Sequence, residues 1–184
     1  MSKPTDTSAI LHKTMLHGVT VLLFVARKLW GAMTANSAVG SSINFQGYNL
    51  IRSAEGLRLD AYADQKGIYT IGYGHTKGVV PGMKITPDQA EVYLSEDVRE
   101  VEQAISQLVK VPLNPNQFSA LCSFCFNVGV GHFEKSTLLQ LLNQNKYDEA
   151  AHELTRWDEL SGVENQGLLA RRCREKDLFE KSMS

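Results

Sequence analysis

Two acidic side chains and one hydroxyl stand at intervals that suit the hydrolysis of a glycosidic bond. Glu55 is followed after eight residues by Asp64, and after five more by Thr70. Glycoside hydrolysis needs two carboxyl groups in different environments, one protonated to release the leaving oxygen and one ionised on the opposite face of the sugar. Because the chain has 20 acidic residues, such a pair means little alone, and its value depends on the elements that position it.

A β-hairpin is predicted around the second acid. Residues 57–62 and 69–73 are rich in aromatic and branched side chains, which favour strands. They flank the sequence Asp64-Gln65-Lys66-Gly67, whose composition is typical of a turn. We therefore expect a small antiparallel sheet with Asp64 in its turn and Thr70 on the returning strand.

Helical signals precede and follow this hairpin. Residues 45–54 predict a short helix that stops at Gly56, since glycine takes the left-handed cap conformation at little cost, and Glu55 then lies at a helix end. Capping boxes with a proline begin at Thr86 and Asn114 and predict two longer helices. Helices are expected over residues 86–108, 114–128, 137–142, 148–157 and 168–181, with a break at Ser161-Gly162.

Composition restricts the class of protein and its partners. The chain has 184 residues, 43% of them hydrophobic and 21% charged, which is ordinary for a globular protein. Its net charge of −1 provides no overall field that would draw it onto nucleic acid. An odd set of three cysteines does not suggest a disulfide scaffold. We expect Cys122 and Cys125 to be buried free thiols, in a chain made and kept reduced in a cytoplasm.

The segment around the two acids resembles one known family. Residues 55–75 read EGLRLDAYADQKGIYTIGYGH, which is similar to the phage-type lysozymes, the endolysin muramidases, whose pattern is Glu, eight residues, Asp or Cys, five residues, Thr. The resemblance covers about residues 43–180 and includes FNVGVGHF at 126–133. It implies a lysozyme-like α+β fold in which a small antiparallel β-lobe and a larger helical lobe enclose the active-site cleft.

The resemblance also implies an activity and a role for each of the three residues. The activity would be hydrolysis of the β-1,4 bond between N-acetylmuramic acid and N-acetylglucosamine in bacterial peptidoglycan, with inversion and carboxyl groups about 6.5–9.5 Å apart. Glu55 would be the general acid, and partial burial would help it hold its proton near neutrality. An arginine such as Arg58 would oppose this if close. Asp64 would stay ionised and stabilise the oxocarbenium-like sugar, and Thr70 would hold the attacking water.

Further substrate contacts follow from the match to the family pattern. Gly74 and Thr76 would lie on the cleft floor beside the β-lobe. Phe126 and Ser136 would line the helical side, and Glu153 occupies a position where the family commonly has an amide. Three of these have structural alternatives, which are a core position for Phe126, a helix cap for Ser136 and a solvated face for Glu153.

His75 follows Gly74 in a family position whose role is structural, and we expect it to pair with a nearby acid rather than act as a base. His17, His132 and His152 form no set with metal-ligand spacing. No metal site and no cofactor are therefore predicted, and the sequence contains no phosphate loop or dinucleotide fingerprint.

The last predicted helix is basic, with Arg171, Arg172, Arg174 and Lys176. The ordinary interpretation of such a face is a solvated surface. A wall-lytic enzyme could also use it to contact an anionic membrane or lipopolysaccharide, with four apolar side chains able to pack or insert: Leu168, Leu169, Leu178 and Phe179. We expect the protein to be a monomer.

Residues 1–40 differ in composition from the rest, and we predict them to be an N-terminal extension followed by a catalytic domain over 41–184. Residues 14–26 are apolar but shorter than the roughly 20 residues that span a bilayer. Three interpretations are open: a helix packed on the domain or on a membrane surface, a releasable signal-anchor, and a cleaved secretory signal. The enzyme would wait in the host cytoplasm for release onto periplasmic peptidoglycan, or be anchored in the inner membrane and released to the periplasm.

Two other functions compete with hydrolysis. A lytic transglycosylase would use a single glutamate and leave a 1,6-anhydro product, so it would not need Asp64 or Thr70. A wall-binding relative would keep the cleft but lack turnover, and the complete acid set disfavours it.

Overall fold

The computed structural model describes residues 42–64, 67–160 and 163–182. The predictions for residues 1–40 and for the break at Ser161-Gly162 lie outside these residues. Within the described part, no helix is long and apolar enough to cross a membrane. The elements in chain order are α1 (Phe45–Glu55), β1 (Arg58–Ala63), β2 (Tyr69–Gly72), α2 (Pro87–Leu108), α3 (Pro115–Val128), α4 (Val130–Glu134), α5 (Thr137–Asn143), α6 (Tyr147–Leu154), β3 (Glu159–Leu160), β4 (Val163–Glu164) and α7 (Gln166–Glu180).

Helix α1 begins and ends where its local signals place it. The Asn44 side chain accepts a hydrogen bond from the Gly47 N–H at 3.0 Å, which satisfies one of the free donors of the first turn. At the other end Gly56 has φ 69° and donates its N–H to the Arg52 carbonyl at 3.0 Å. The predicted helix is confirmed, and Glu55 is its last residue.

The hairpin of β1 and β2 forms the small β-lobe. The two strands are antiparallel, with Tyr62 opposite Thr70, and the Asp64 N–H donates to the Ile68 carbonyl at 2.9 Å across the turn. Three buried residues, Ile71, Ile85 and Ala90, form the small core of this lobe. The predicted sheet is confirmed, with Asp64 at its turn and Thr70 on the returning strand.

The helical lobe is built around α3. Both capping boxes are present, at Thr86 with Gln89 and at Asn114 with Gln117. Helix α2 presents one buried face to the core, and nine consecutive or near-consecutive residues of α3 are buried, so α3 is the central helix that its apolar sequence predicts. The buried positions of α2 are Ala90, Leu94, Val98, Val101 and Ile105.

A glycine allows α1 to approach α3 closely. A Cβ on Gly47 would lie 2.6 Å from Ile43 Cγ1 and 2.8 Å from Ser119 Cβ, which are distances that no side chain tolerates without a shift. Glycine costs roughly 0.5–1 kcal/mol relative to alanine inside a helix. At this position the absence of a side chain is what lets the two helices meet.

The thiols Cys122 and Cys125 on α3 are free and buried, as predicted, whereas Cys173 is free and exposed. Burial raises the pKa of both buried thiols, that of Cys125 to about 12. Neither is therefore in the reactive thiolate form near neutral pH.

Two details of the C-terminal part differ from the sequence prediction. Helix α6 ends at Leu154 rather than 157, and the Trp157 ring instead packs edge-on against Phe124 at 5.4 Å. The hairpin of β3 and β4 was not predicted, because two-residue strands are too short to show an alternating pattern.

Candidate active site

Glu55 is held half-buried between α7 and the turn after β2. Its side chain is 24% exposed, and its Oε1 accepts a hydrogen bond from Arg171 Nη1 at 2.7 Å. The other oxygen, Oε2, lies 3.9 Å from where a Cβ on Gly74 would stand, and Gly74 has φ 96°. A residue with a side chain at position 74 would therefore be strained and would crowd the acid. The arginine beside Glu55 is Arg171 and not Arg58, whose guanidinium lies over the Tyr62 ring at 4.0 Å.

A cavity of about 410 Å³ opens beside this acid. It is bounded by the end of α1, the end of α3 and the first turns of α7, and its polar lining includes Glu55, Asn127, Arg171 and Arg174. The acid is thus reached from solvent through a space that is lined by hydrogen-bonding side chains.

Asp64 and Thr70 are brought together by the turn that joins β1 to β2. Asp64 Oδ1 accepts from the Ile68 N–H at 2.8 Å, and Thr70 Oγ1 donates to the Ile68 carbonyl at 3.2 Å. Thr70 is buried, with 6% of its surface exposed. Both side chains are therefore oriented by the backbone of the same residue, and their relative position is set by the hairpin.

The other residues predicted to bind substrate differ in their surroundings. Gly74 and Thr76 are exposed beside the β-lobe, and Gly74 directly adjoins Glu55. Phe126 is half-buried and packs against the helical core. Its contacts fit the core position that was its structural alternative.

Ser136 and Glu153 are both engaged within the protein. Ser136 is 4% exposed, and its Oγ donates to the Phe133 carbonyl and accepts from the Leu139 N–H. It is the N-cap of α5, so the cap that was its alternative role is confirmed. Glu153 Oε2 lies 3.1 Å from Arg156 Nη1, and its side chain is largely buried rather than on a solvated face.

The last helix does not present the solvent-exposed basic face that its sequence predicts, because two of its four cations are buried. Arg171 is 7% exposed and Arg172 is fully buried, as are most of the atoms of Leu178 and Phe179. The sequence interpretation was wrong for these two arginines, because Glu175 lies four and three residues further along the same helix and receives both of them. Of the four cations, only Arg174 and Lys176 reach solvent.

The buried arginines form a network that reaches Glu55. Arg171 donates from Nε to Glu175 Oε1 at 3.1 Å and from Nη2 to the Ser123 carbonyl at 3.2 Å, in addition to its bond to Glu55. Arg172 donates from Nη1 to Glu175 Oε2 at 2.7 Å and from Nη2 to Asn127 Oδ1. Its guanidinium also lies over the Phe124 ring at 4.9 Å.

Charge in this network is stabilised by neighbouring charge rather than by water. Burial lowers the pKa of Arg172 and raises the pKa of Glu175. Arg172, Arg171 and the Ser123 hydroxyl, which donates to Glu175 Oε1 at 2.8 Å, oppose the rise at Glu175. Every partner of Glu175 is a donor, and an arginine has no acceptor, so the geometry fits an ionised carboxylate.

Sequence reasoning missed Arg171 as a residue of the site. The one signal present was the spacing, since two arginines stand three and four residues before an acid on a helix and can pair with it. That spacing is equally common on solvated helices, and it contains no information about a partner 116 residues away at Glu55.

His75 has the structural role that was predicted. Its Nδ1 lies 2.9 Å from Asp97 Oδ2, its Nε2 lies 2.9 Å from the Lys77 carbonyl, and its ring stacks on Tyr93 at 4.3 Å. In the part of the chain that the structure describes, no group of three His, Cys, Asp or Glu side chains is placed to hold a metal ion.

The chain is similar to several known proteins. Residues 52–175 match the family model described as phage lysozyme. The endolysin of Salmonella phage P22 is 45% identical over 142 residues, which are 74% of this chain and 97% of that protein. The SAR-endolysin of bacteriophage PS119 is 38% identical over 125 residues, which are 67% of this chain and 75% of that protein.

Solved structures agree with the sequence comparison. The muramidase domain of SpmX from Asticaccaulis excentricus superposes with a TM-score of 0.73 and 38% identity, covering 77% of this chain and 99% of that one. A variant of P22 lysozyme superposes with a TM-score of 0.70 and 43% identity, covering 76% of this chain and 99% of that one. The fold predicted from the sequence is therefore confirmed.

Proposed function

The chain belongs to the phage lysozyme family, and from that premise we propose that Glu55 is the general acid of its reaction, with Asp64 and Thr70 completing the site. As an endolysin, the protein is a glycosidase that degrades bacterial peptidoglycan. The observation that best supports the assignment is the position of Glu55, half-buried at the end of α1 with its two oxygens in different surroundings.

Those surroundings indicate which oxygen carries the proton. Oε1 of Glu55 accepts from Arg171 at 2.7 Å, and a guanidinium cannot accept a proton in return. Oε2 beside Gly74 is then the oxygen from which the proton passes to the leaving glycosidic oxygen. Positioned proton transfer of this kind contributes roughly 10²–10⁴ in rate.

Asp64 and Thr70 act on the other side of the bond in this proposal. Asp64 stays ionised and stabilises the positive charge that develops on the sugar. The Thr70 hydroxyl donates its hydrogen bond to the Ile68 carbonyl, so its lone pairs remain for an attacking water, which Asp64 would deprotonate. The bond cleaved is the β-1,4 bond between N-acetylmuramic acid and N-acetylglucosamine, and the product has inverted configuration.

Among the residues predicted to bind saccharide, Gly74 and Thr76 fit best, since both are exposed and Gly74 adjoins the acid. Phe126 fits less well, because it is half-buried and packs against the helical core. Ser136 and Glu153 would have to leave the cap and the ion pair that engage them.

The experiment that tests the proposal compares digests of purified peptidoglycan by wild type, Glu55→Gln and the control Glu149→Gln, which removes an exposed carboxylate from α6. Mass spectrometry should find fragments with reducing ends from wild type and control and none from Glu55→Gln. Near wild-type turnover by Glu55→Gln would overturn the assignment. Fragments with anhydro-muramic ends would instead indicate a lytic transglycosylase, a function that does not need Asp64 or Thr70.

Two proposals concern the cell. Similarity to a SAR-endolysin supports residues 1–40 as a releasable signal-anchor that delivers the domain over 41–184 to the periplasm. Cells that express the protein should be fractionated before lysis. The full-length enzyme should be found in the membrane fraction, and the enzyme that lacks residues 1–40 should not. Recovery of both forms in the soluble fraction would contradict the proposal. Any contact of α7 with an anionic membrane would depend on Arg174 and Lys176 alone, because the other two arginines are buried.

A further inference from the structure

Arg171 stands between two acids, one in the site and one in the core. It donates to Glu55 Oε1 at 2.7 Å and to Glu175 Oε1 at 3.1 Å. We propose that Glu175, which is closed off from solvent, is a positioning residue that orients Arg171 against Glu55 and offsets arginine charge that would otherwise remove the proton from Glu55. The proposal rests on the role of Glu55 as the acid.

Three hydrogen bonds fix the orientation of the Arg171 guanidinium. Arg171 makes three, from Nη1, Nε and Nη2, to Glu55, to Glu175 and to the Ser123 carbonyl. A planar guanidinium bonded on both of its edges has no freedom to rotate away from the acid. Glu175 is itself fixed by Arg172, which donates to its Oε2 at 2.7 Å, and by the Ser123 hydroxyl, which donates to its Oε1 at 2.8 Å.

The groups that face the two acids are positively charged or neutral. Toward Glu55, α7 presents Arg171 and Arg174, α3 presents the neutral Asn127, and the turn after β2 presents Gly74. Toward Glu175, α7 presents Arg171 and Arg172, and α3 presents the neutral Ser123. Glu175 is thus the negative charge that offsets one of the two buried arginine charges when Glu55 is protonated.

The distance between Glu175 and Glu55 determines how strongly the charge of one affects the protonation of the other. The two carboxylates bond to different nitrogens of one guanidinium, at 3.1 and 2.7 Å, and the planar geometry of that group places the bonded oxygens roughly 7 Å apart. At an effective dielectric constant of about 20, removing a unit charge at that distance should move the alkaline limb of the pH–rate profile by roughly 1.5 pH units. Without Glu175 the arginines favour ionised Glu55, and because a general acid works only when protonated, activity is lost at lower pH.

The test is the pH–rate profile of Glu175→Gln on purified peptidoglycan, within the pH range where circular dichroism shows native protein. The alkaline limb should move down by roughly 1–1.5 pH units. Asp177→Asn removes one negative charge from the exposed side of the same helix and should leave the limb in place. Glu175→Asp keeps the charge and should hold the limb near that of wild type, even though it loosens the packing.

A second pair isolates the same charge if Glu175→Gln does not fold. Arg172→Met removes a buried charge together with an Nε that has no hydrogen-bond partner. Adding Glu175→Gln to it removes both members of the buried Arg172–Glu175 ion pair. The double variant should lose activity at a pH roughly 1–1.5 units below that of the single Arg172→Met variant.

Unchanged limbs in both comparisons would overturn the role of Glu175 while leaving Glu55 as the acid. Failure of the proposed function has a different signature, which is turnover by Glu55→Gln. The outcomes therefore separate the two proposals.

Discussion

Replacing Arg171 with methionine is expected to lower the free energy of unfolding by about 3–5 kcal/mol. The side chain is buried and makes three hydrogen bonds, at 2.7, 3.1 and 3.2 Å. Hydrogen bonds to charged groups contribute roughly 1.5–3 kcal/mol each, and because all three are made by one guanidinium their contributions do not add in full. The bond to Glu55 belongs at the low end of that range because solvent reaches this carboxylate. Methionine keeps much of the volume, so the loss measures the three hydrogen bonds rather than a cavity, and Glu175 keeps its ion pair with Arg172.

Urea and thermal unfolding followed by circular dichroism would measure this loss. For a domain of this size we expect the melting temperature to fall by roughly 8–15 °C. The matched control is Arg174→Met, since Arg174 is exposed on the same helix and its Nε donates to the Ala170 carbonyl at 3.2 Å. That change should stay within about 0.5 kcal/mol of wild type. If the two variants unfold alike, the buried network does not stabilise the fold and the reasoning about Glu175 loses its basis.

Two further predictions concern the packing around α3. Gly47→Ala should destabilise the protein by about 1–3 kcal/mol through the clash between α1 and α3, whereas Gly131→Ala in α4, with open space around it, should be neutral or stabilise by up to about 1 kcal/mol. Equal melting temperatures for the two variants would contradict this. Titration with a thiol reagent should detect Cys173 alone in the native protein and all three thiols after denaturation, since Cys122 and Cys125 are buried; fast reaction of more than one thiol before unfolding would contradict it.

The elements that carry the site are readable from the sequence because their signals are local. Asn44 caps α1, Gly56 ends it, and the turn at Asp64 sets the register that places Thr70. Each of these depends on a few neighbouring residues, whose preferences act before any tertiary contact forms. The core face of α2 is equally readable, because the period of a helix turns a spacing of three and four residues into one side.

The surroundings of the acid were decided only by the tertiary structure. Arg171 and Arg172 look in the sequence like a solvated basic face, and the side of α7 that packs against α1 and α3 cannot be read from the helix itself. Burial converts Glu175 from one of many surface acids into the partner of both arginines. A sequence determines which groups can ionise, but only the fold determines which charges lose water and must be balanced by one another.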